Sequence, residues 1–535
     1  MSRTTATVIG VVLGLILACP GGMSQAPSGR QNAPAEFNPP ITPAWAFGHI
    51  IWEDNVNTTQ GATDLVEAYL QRGLPVDGII IDSPWSTSYC DFTWDRDRYA
   101  DPAGLIGWMR ERDVKIILWT TGNVNEECKD TPKQKGDTYD EMQSLGYGVN
   151  GSTPYRWWKG FGMHLDFTNP DAVQWWYKQL DKVFVDGVYG WKVDQGEDYL
   201  GQTVETSKGT ISKKAFAKYY YDSMFDYAVS RKQEGITIAR PYSHQGGFAA
   251  SVSKMNLGWC GDFSGDWRGL KQQINNIYIS SQAGYAAVAT EVGGFYGRAA
   301  NGEQLVRYSQ FGAMTACMIN GGENGAFTAH LPWYHGEDEA RAYAFSLNLH
   351  EQLRPYMFST VVDAHISGGT LVRDCSFAEE SHKVGENIFT KAITSEGGNA
   401  AFHLPSEGEW VDFWTGEAYL PGTAVEKTYS LFEFPLFFKR GSIIPLFVED
   451  GSTGIGDASM KGTVTLLIHP NGKTTQVLHL PVGDGIEYSD CRVSYDEKKG
   501  TIEIESDVAR TYSVIVKGSR TKIKTLTGKE IKTKI

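Results

Sequence analysis

The sequence predicts an α/β fold in which a (β/α)8 TIM barrel is followed by antiparallel β-sandwich domains. Three observations support this prediction. The chain has 535 residues, more than a single core usually holds, so two or three domains are expected. From residue 45 onwards, short apolar runs alternate with helix-like segments. After about residue 354, alternating runs bounded by Gly, Pro, Asn and Asp replace the helix-like segments.

The N-terminal residues 1–26 are predicted to be a signal peptide. Arg3 precedes an apolar run over residues 8–18, which is too short and too weakly flanked for a membrane span, and small residues follow. We therefore expect a secreted or extracytoplasmic protein, periplasmic if the source is bacterial. Cys19 could instead carry the lipid anchor of a bacterial lipoprotein, although plain secretion is the leading interpretation. Residues 27–43, rich in Pro, Ser, Asn and Ala, are predicted to be a disordered linker.

The predicted barrel covers residues 44–354 and has eight strand candidates. These strands cover residues 47–52, 78–82, 115–119, 188–194, 236–240, 257–262, 285–291 and 315–320. Helices are predicted between most of them, among others over residues 62–72, 102–112, 170–184 and 213–231. The connection over residues 120–165 is longer than the others, which indicates an excursion over the mouth of the barrel.

Two β-sandwiches are predicted after the barrel, a proximal one over residues 355–449 and a distal one over residues 450–535. Their boundary is expected near residues 449–457. The basic stretch over residues 510–535 is interpreted as a solvated edge strand, because lysines commonly protect such edges from pairing with other chains.

Composition narrows the class of ligand. The net charge of -14 argues against nucleic acid, which requires a basic face. Aromatic residues make up 12% of the chain and include 16 Trp, whose ring faces suit the C–H faces of sugars. No spacing of His or Cys is typical of a metal site, so neither metal nor cofactor is expected.

In an exported protein the cysteines beyond Cys19 are candidates for disulfides. Cys90 and Cys128 both follow predicted strands of one sheet and could meet on one face. The others are predicted to be buried thiols: Cys260, Cys317, Cys375 and Cys491.

The strand ends give the candidate site, because parallel barrels place their chemistry at the C-terminal ends of the strands. Polar and indole side chains follow the second to seventh predicted strands: Asp82, Trp119, Lys192, Asp194, Arg240, Trp259, Asp262, Thr290 and Glu291. Converging acids, cations and Trp residues suit a neutral polyhydroxy substrate. Two of the acids could then cleave a glycosidic bond, one as nucleophile and one as proton donor.

Several segments carry a family resemblance. GWKVDQGED, residues 190–198, resembles the nucleophile motif of glycoside hydrolase family 31, and Asp194 matches the nucleophile. WCGDFSGDW, residues 259–267, resembles that family's Trp-x-Gly-Asp element, and Asp262 matches the acid/base. The resemblance continues in order from about residue 44 to residue 450, through IIIDSPW, LDFTNPDA, EVGGF, WVDFWTGE and FFKRGSIIPL.

The resemblance implies a retaining, exo-acting α-glycoside hydrolase that removes a terminal sugar through a covalent glycosyl-aspartate. It implies that Asp82 binds sugar hydroxyls at the deepest subsite. The other candidate substrate-binding residues are Trp85, Trp119, Lys192, Glu197, Arg240, Trp259, Thr290 and Glu291. Asp266 is a rival for the acid/base role, although its position before a helix-like run suggests a helix N-cap.

Two departures from the family pattern bear on the substrate. Thr290-Glu291 stands where the family commonly has His-Asp before Gly-Gly-Phe, so we expect a wider deepest subsite and a sugar other than plain glucose. The large β-sandwich that typically precedes the barrel is expected to be missing, because only a linker separates the targeting segment from the first strand.

Other functions remain open. The same family includes α-glucan lyases and transglycosylases that use the same nucleophile. A catalytically silent carbohydrate-binding protein is a different class, disfavoured because Asp194 and Asp262 are both present.

Overall fold

The computed structural model describes residues 38–54, 57–323, 327–518 and 521–535. The predicted signal peptide, its Cys19 and the first part of the predicted linker lie outside these ranges. Within them, no helix is both long and apolar enough to cross a bilayer.

The end of the predicted linker is packed against the fold instead of being disordered. The Asn38 amide donates to the carbonyl oxygen of His365 at 2.6 Å, and the His365 ring donates to the carbonyl of Pro39 at 2.8 Å. The Thr42 hydroxyl, fully buried, donates to the carbonyl of Asn256. Ile41 also packs against the hydrophobic core, and the Pro-rich composition of the segment concealed this packing.

Eight parallel strands close into the predicted barrel. Numbered along the chain, they are β1 (His49–Ile51), β2 (Gly78–Ile81), β3 (Lys115–Thr120), β7 (Val188–Val193), β10 (Ile236–Ala239), β13 (Leu257–Trp259), β14 (Val288–Val292) and β15 (Met318–Asn320). The spatial order is β1-β15-β14-β13-β10-β7-β3-β2, which brings the first and last strands together. Each predicted strand overlaps an observed one, so the barrel prediction is confirmed.

Helices surround the barrel. They are α1 (Thr59–Leu70), α2 (Pro102–Arg110), α5 (Pro170–Leu180), α6 (Lys213–Arg231), α7 (Trp267–Gln282), α8 (Gly302–Gly312) and α9 (Glu337–Ser367). All but α9 begin at a side chain that accepts a backbone N–H of the first turn, which satisfies a donor that the helix leaves free. These capping residues are Thr58, Asp101, Asn169, Ser212, Asp266 and Asn301.

The 31-residue helix α9 corrects the predicted end of the barrel domain. The predicted boundary at residue 354 falls inside this helix, which continues through Pro355 to Ser367. The helix packs against α8 on one side and against the C-terminal sheets on another. Because it is buried on several sides, its apolar residues do not form the single stripe that predicts a surface helix.

Small structures at the mouth come from the loops that follow three barrel strands. The excursion after β3 contains β4 (Asn123–Cys128), α3 (Tyr139–Ser144), α4 (Val149–Ser152), β5 (Tyr155–Trp157) and β6 (Gly160–His164), with the sheet order β4-β6-β5. A hairpin of β8 (Thr203–Thr206) and β9 (Gly209–Ser212) follows β7, and a hairpin of β11 (Tyr242–Ser243) and β12 (Gly247–Phe248) follows β10.

Antiparallel sheet domains follow the barrel, as predicted. The first contains β16 (Val372–Ser376), β17 (Ser381–Val384), β18 (Ile388–Lys391), β20 (Trp410–Asp412), β21 (Ala418–Tyr419) and β23 (Leu436–Lys439), with β19 (Asn399–His403) and β22 (Ala424–Thr428) as a separate pair. The second contains β24 (Ser442–Leu446), β25 (Val464–His469), β26 (Lys473–Pro481), β27 (Tyr488–Asp496), β28 (Thr501–Val516) and β29 (Lys522–Lys534).

The chain changes sheets earlier than predicted. β23 belongs to the first sheet and β24 to the second, so the change occurs at residues 440–441 and not near residues 449–457. The turn contains Gly441 with φ of 82°, a conformation that glycine adopts readily. The apolar residues on both sides of Lys439 and Arg440 resemble a single strand over residues 435–446, which concealed this turn. The second sheet is also not purely antiparallel, because β25 and β28 pair in parallel.

The candidate pair Cys90 and Cys128 does not form a disulfide, since both thiols are free among the described residues. The thiol of Cys90 lies 3.3 Å from the carbonyl oxygen of Thr121, at the end of β3. Cys128 ends β4 in the excursion. Cys375 is half-buried, whereas we expected it to be buried.

His479 joins α9 to the second sheet. Its ring lies 2.7 Å from a carboxylate oxygen of Asp490 and 3.2 Å from one of Asp363 on α9. Burial alone would lower the pKa of His479, but the two carboxylates outweigh it and raise the pKa above its ordinary value.

We expect His479 to make stability depend on pH. Because its folded-state pKa is raised, its contribution is fully present below about pH 6.5 and is lost as pH rises through the folded-state value. The thermal unfolding temperature of the wild type should therefore exceed that of His479→Gln by more at about pH 5.5 than at about pH 9. A difference that stays constant over this range would contradict the prediction.

Candidate active site

The alternation of β7 directs Lys192 and Asp194 into the mouth of the barrel. Successive side chains of a strand point to opposite faces, so residues two apart share a face. Trp191, which precedes Lys192, points outward and packs against Phe92 and Phe184. The backbone N–H of Asp194 continues the sheet by donating to the carbonyl of Thr120 at 2.9 Å.

Three donors fix the Asp194 carboxylate. Its Oδ1 accepts from Arg240 Nη2 at 2.8 Å and from the Gln195 backbone N–H at 2.7 Å. Its Oδ2 accepts from the Trp119 indole at 3.1 Å. Burial would raise the pKa of Asp194, but the charges of Arg240 and Lys192 hold it below its usual range. Asp194 is therefore an ionised, oriented carboxylate that can act as a nucleophile.

Lys192 is the central cation of the site. Its ammonium donates to Asp82 Oδ2 at 2.8 Å, and each side chain of this pair is only 5% exposed. The same nitrogen lies 3.4 Å from the ring centre of Trp52 and 4.6 Å from that of Trp259. Ring faces attract a cation, so the indoles help to compensate for its lost hydration.

Asp262 lies in the loop after β13, in the same cavity as Asp194. Burial and the charges of Asp194 and Asp82 raise the pKa of Asp262 to about 6, against the opposing charges of Arg240 and Lys192. A carboxyl group of this kind can hold a proton near neutral pH and release it, as a general acid must.

Asp266 caps α7. Its carboxylate accepts from the backbone N–H of Gly269 at 3.0 Å, so the N-cap interpretation is confirmed.

One cavity of about 530 Å³ contains six of the predicted site residues: Asp82, Trp119, Lys192, Asp194, Arg240 and Asp262. Its other lining residues escaped the sequence reasoning: Trp52, Asp54, Ser83, Pro84, Asp130, Trp158, Lys159, Gln195, Tyr199, Gln245, Phe295 and Glu323. Trp52 and Phe295 stack with their ring centres 5.4 Å apart and their planes within 3° of parallel. The wall therefore combines aromatic faces with hydrogen-bonding groups, which suits a sugar.

The sequence indicates that some of these residues line the cavity, but it does not indicate this for the others. Trp52 and Asp54 follow β1, and Glu323 follows β15, so applying the strand-end rule to the first and last strands would have found them. Trp158 and Lys159 come from the excursion, which was correctly expected at the mouth. Nothing in its sequence indicates which of its residues reach the cavity.

Trp85 and Trp259 were predicted to bind substrate but lie beneath the cavity lining. Both are 2% exposed. The Trp85 indole donates to the carbonyl of Trp119 at 2.8 Å and so supports that residue from behind. The Trp259 ring lies under Lys192 and under Arg240, whose guanidinium carbon is 4.1 Å from the ring centre. Each positions a residue that lines the cavity.

The prediction for Thr290 was wrong. Its hydroxyl bonds to that of Thr315 at 2.9 Å, and its Cβ lies beside Gly312 of α8. Even-numbered side chains of β14 face the helices, so Thr290 points away from the mouth. The expected wider subsite therefore has no basis at this position.

Glu291 faces the interior of the barrel but is 1% exposed and does not line the cavity. Burial raises the pKa of Glu291 well above its usual range, and the charge of Asp262 adds to this effect. Glu197, 4% exposed, lies in an adjoining cavity instead of the one that contains Asp194. Burial raises the pKa of Glu197 to about 7.

The comparisons with known proteins agree with this geometry. Residues 39–360 match the family model described as the glycosyl hydrolases family 31 TIM-barrel domain, and residues 360–444 match the family 31 C-terminal domain. Alpha-glucosidase 2 of Bacillus thermoamyloliquefaciens is 24% identical over 84% of this chain and 59% of its own length. An alpha-xylosidase of Emericella nidulans is 25% identical over 76% of this chain and 54% of its own length.

The solved structures share the fold. A cycloalternan-forming enzyme from Listeria monocytogenes, in complex with a pentasaccharide substrate, superposes with a TM-score of 0.78 at 23% identity, over 90% of this chain and 49% of that one. The chain thus spans about half the length of the relatives that it matches. Because a single family model covers more than half of the sequence, the chain belongs to glycosyl hydrolase family 31.

Proposed function

We propose that this protein is a retaining, exo-acting hydrolase that removes a terminal α-linked sugar from an oligosaccharide or glycoconjugate. One observation carries the proposal. A single cavity holds an ionised carboxylate, Asp194, and an acid whose pKa is raised to about 6, Asp262. Retaining glycosidases need one carboxylate and one carboxylic acid of this kind. Relatives named as an α-glucosidase and an α-xylosidase support the α-glycoside class.

The reaction proceeds in two displacements. In the first, Asp194 bonds to the anomeric carbon while the bond to the leaving oxygen breaks and Asp262 protonates that oxygen. Oδ1 of Asp194 accepts two hydrogen bonds and Oδ2 only one, so we assign the attack to Oδ2. In the second, ionised Asp262 takes a proton from water, whose oxygen displaces Asp194. Two inversions restore the starting configuration.

The cavity supports exo action. Its volume of about 530 Å³ lies within the usual range for sites that enclose a small ligand. The Asp82–Lys192 pair offers a carboxylate and an ammonium to sugar hydroxyls, and Trp52 with Phe295 offers an aromatic wall. These groups fit the end of a glycan better than the middle of a long chain.

The test is a panel of aryl α-glycosides: glucoside, xyloside, galactoside, N-acetylgalactosaminide and sulfoquinovoside. We expect cleavage of at least one, with the first-formed sugar in the α configuration by NMR. An unsaturated product would indicate a lyase, and elongated products a transglycosylase. Failure to cleave any member would contradict the proposal.

The pH dependence of kcat/KM should follow the two aspartates. Asp262 must be protonated in the first displacement, so kcat/KM is expected to fall as pH rises through about 6. The acid limb should lie below the ordinary carboxyl pKa, because the pKa of Asp194 is lowered. The measurement is kcat/KM against pH for an aryl glycoside. An α-glycosyl fluoride is the control, since its leaving atom needs little protonation and should lose the alkaline limb.

We further propose that the protein is exported. The apolar run over residues 8–18 after Arg3 supports this proposal. Expressing the full chain in a bacterial host, fractionating the cells and sequencing the N-terminus of the product would test it. A cytoplasmic protein that retains residues 1–26 would contradict it, and a processed form with acylated Cys19 would identify a lipoprotein.

A further inference from the structure

A buried hydrogen-bonded pair lies behind the wall of the cavity that contains Asp194. His330 Nδ1 is 3.1 Å from Glu53 Oε1, and each side chain is only 1% exposed. Glu53 stands in the chain between Trp52 and Asp54, both of which line the cavity, whereas Glu53 does not. The pair is therefore placed behind the cavity lining, and neither of its members has a part in the mechanism above.

The ring of His330 packs against two of the loops that form the mouth. Gly293 belongs to the loop after β14, and Gly322 belongs to the loop after β15. A Cβ on Gly293 would lie 3.2 Å from His330 Cδ2, and one on Gly322 would lie 3.0 Å from His330 Cε1. The imidazole thus contacts both loops closely, and its bond to Glu53 adds the loop after β1.

His330 is itself fixed to the barrel. The side-chain amide of Asn320, at the end of β15, donates to the carbonyl oxygen of His330 at 2.8 Å. The carbonyl oxygen of Asn320 accepts from the Trp52 backbone N–H at 3.0 Å, so the same residue also holds the start of the loop after β1. The position of the imidazole is therefore determined by the end of a barrel strand.

Two of these three loops carry the Trp52–Phe295 stack. The ring centres are 5.4 Å apart, and the Trp52 ring centre is 3.4 Å from the ammonium of Lys192. Trp52 is 1% exposed, so it acts on a bound sugar mainly through Phe295, which is half-buried, and through Lys192. A displacement of Trp52 would therefore move two groups that line the cavity.

Stability alone does not account for a buried polar pair. Polar groups removed from water lose hydration that their mutual bond only partly offsets, so apolar side chains of similar volume are often as stable. Burial raises the pKa of Glu53 above its ordinary value in spite of the bond to His330. A hydrogen bond differs from apolar packing because it fixes direction as well as distance. The orientation of a ring stack behind a substrate depends on such a constraint.

We propose that Glu53 and His330 are positioning residues that hold Trp52, and through it Phe295 and Lys192, in the arrangement that binds the terminal sugar. This inference rests on the proposed hydrolase function, because it assigns the pair a role in binding the substrate of that reaction. Loss of the pair should weaken binding in the ground state and in the transition state alike, which raises KM and changes kcat little.

The experiment compares Glu53→Leu with Glu53→Gln on the best aryl glycoside of the panel. Leucine fills a similar volume but cannot bond to His330, whereas an amide can either donate to Nδ1 or accept from it and so keeps the contact. In Glu53→Leu we expect KM, and the inhibition constant of the released monosaccharide, to rise at least about tenfold, while kcat per folded molecule changes less than about threefold. Glu53→Gln should stay within about threefold of the wild type in every constant.

Glu53→Asp tests the same contact if Glu53→Leu does not fold. It shortens the side chain by one methylene, so the carboxylate no longer reaches His330 unless the loop after β1 moves. We expect KM to rise by a smaller factor than in Glu53→Leu, at least about threefold. A KM equal to that of the wild type would contradict the proposal.

His382→Leu is the matched control for the loss of a buried histidine bond. The His382 ring is fully buried, bonds to the Tyr278 hydroxyl at 3.0 Å and lies outside the cavity lining. This variant should lower the thermal unfolding temperature, as Glu53→Leu does, but leave KM unchanged. Phe295→Leu should raise KM by itself. Combining it with Glu53→Leu should add little, because both substitutions act on one stack.

A loss of kcat in Glu53→Leu with KM unchanged would overturn the positioning role and leave the hydrolase function intact. An equal rise of KM in Glu53→Leu and Glu53→Gln, or full additivity with Phe295→Leu, would do the same. A wild type that cleaves no member of the panel would overturn the proposed function, and this inference with it.

Discussion

Replacing Asp194 with asparagine is expected to abolish glycoside turnover, by a factor of at least about a thousand. The amide cannot form the covalent intermediate, so aryl glycosides and glycosyl fluorides should lose activity alike. The measurement is kcat/KM for the best aryl glycoside of the panel. Residual activity within about tenfold of the wild type would place the nucleophile elsewhere.

In Asp194→Asn, activity lost through misfolding must be distinguished from activity lost through the missing nucleophile, because the substitution leaves Arg240 without its carboxylate partner. Removing one member of a buried ion pair is strongly destabilising. Trp119→Phe is a matched control. It removes one hydrogen bond from Asp194 Oδ2 but keeps the charge, and should cost far less activity than Asp194→Asn.

Replacing Asp262 with alanine is expected to have an effect that depends on the leaving group. Substrates with a poor leaving group need the proton that Asp262 provides, and should lose about a hundredfold or more in kcat/KM. A glycosyl fluoride needs little protonation and should lose much less in the same step. The alkaline limb of the pH profile should disappear together with this carboxyl group.

Asp266→Ala is the matched control for Asp262, four residues away in the sequence. It removes the cap of α7 and should cost about 1 kcal/mol of folding stability. Activity per folded molecule should remain. If Asp266→Ala showed the larger catalytic loss, with the dependence on leaving group expected of Asp262→Ala, the acid/base role would belong to Asp266.

Much of the site could be predicted because the C-terminal ends of all eight strands of a barrel meet at one mouth. Asp82, Lys192, Arg240 and Asp262 lie far apart in the chain, yet each lies at or just beyond the end of a strand of one closed sheet and so faces one cavity. Placing these residues required only the strand assignments, which apolar runs give reliably when the strands are buried.

The site predictions failed where the position of a side chain depends on the face of a strand that it occupies or on how its neighbours pack. Thr290 and Glu291 are neighbours in β14, and successive side chains of a strand point to opposite faces. Glu291 therefore faces the barrel interior, whereas Thr290 packs beneath α8. Trp259 was placed at the correct strand end, but whether an indole lines a cavity or lies under it depends on neighbouring side chains. Trp158 reaches the mouth through the folding of the excursion, which has no simple periodicity.

Helix α9 packs against both the barrel and the second sheet, so a cut within this helix would separate surfaces that bury each other. One continuous helix packs against the barrel helix α8 and against β24 and β26 of the second sheet. His479 and the buried hydroxyl of Ser359 add polar contacts along the same helix. A cut at residue 354 or 360 would expose apolar surface on both fragments. We therefore expect the barrel and the sheets to unfold as one cooperative unit, so that the barrel could not be exchanged between proteins as an independent module.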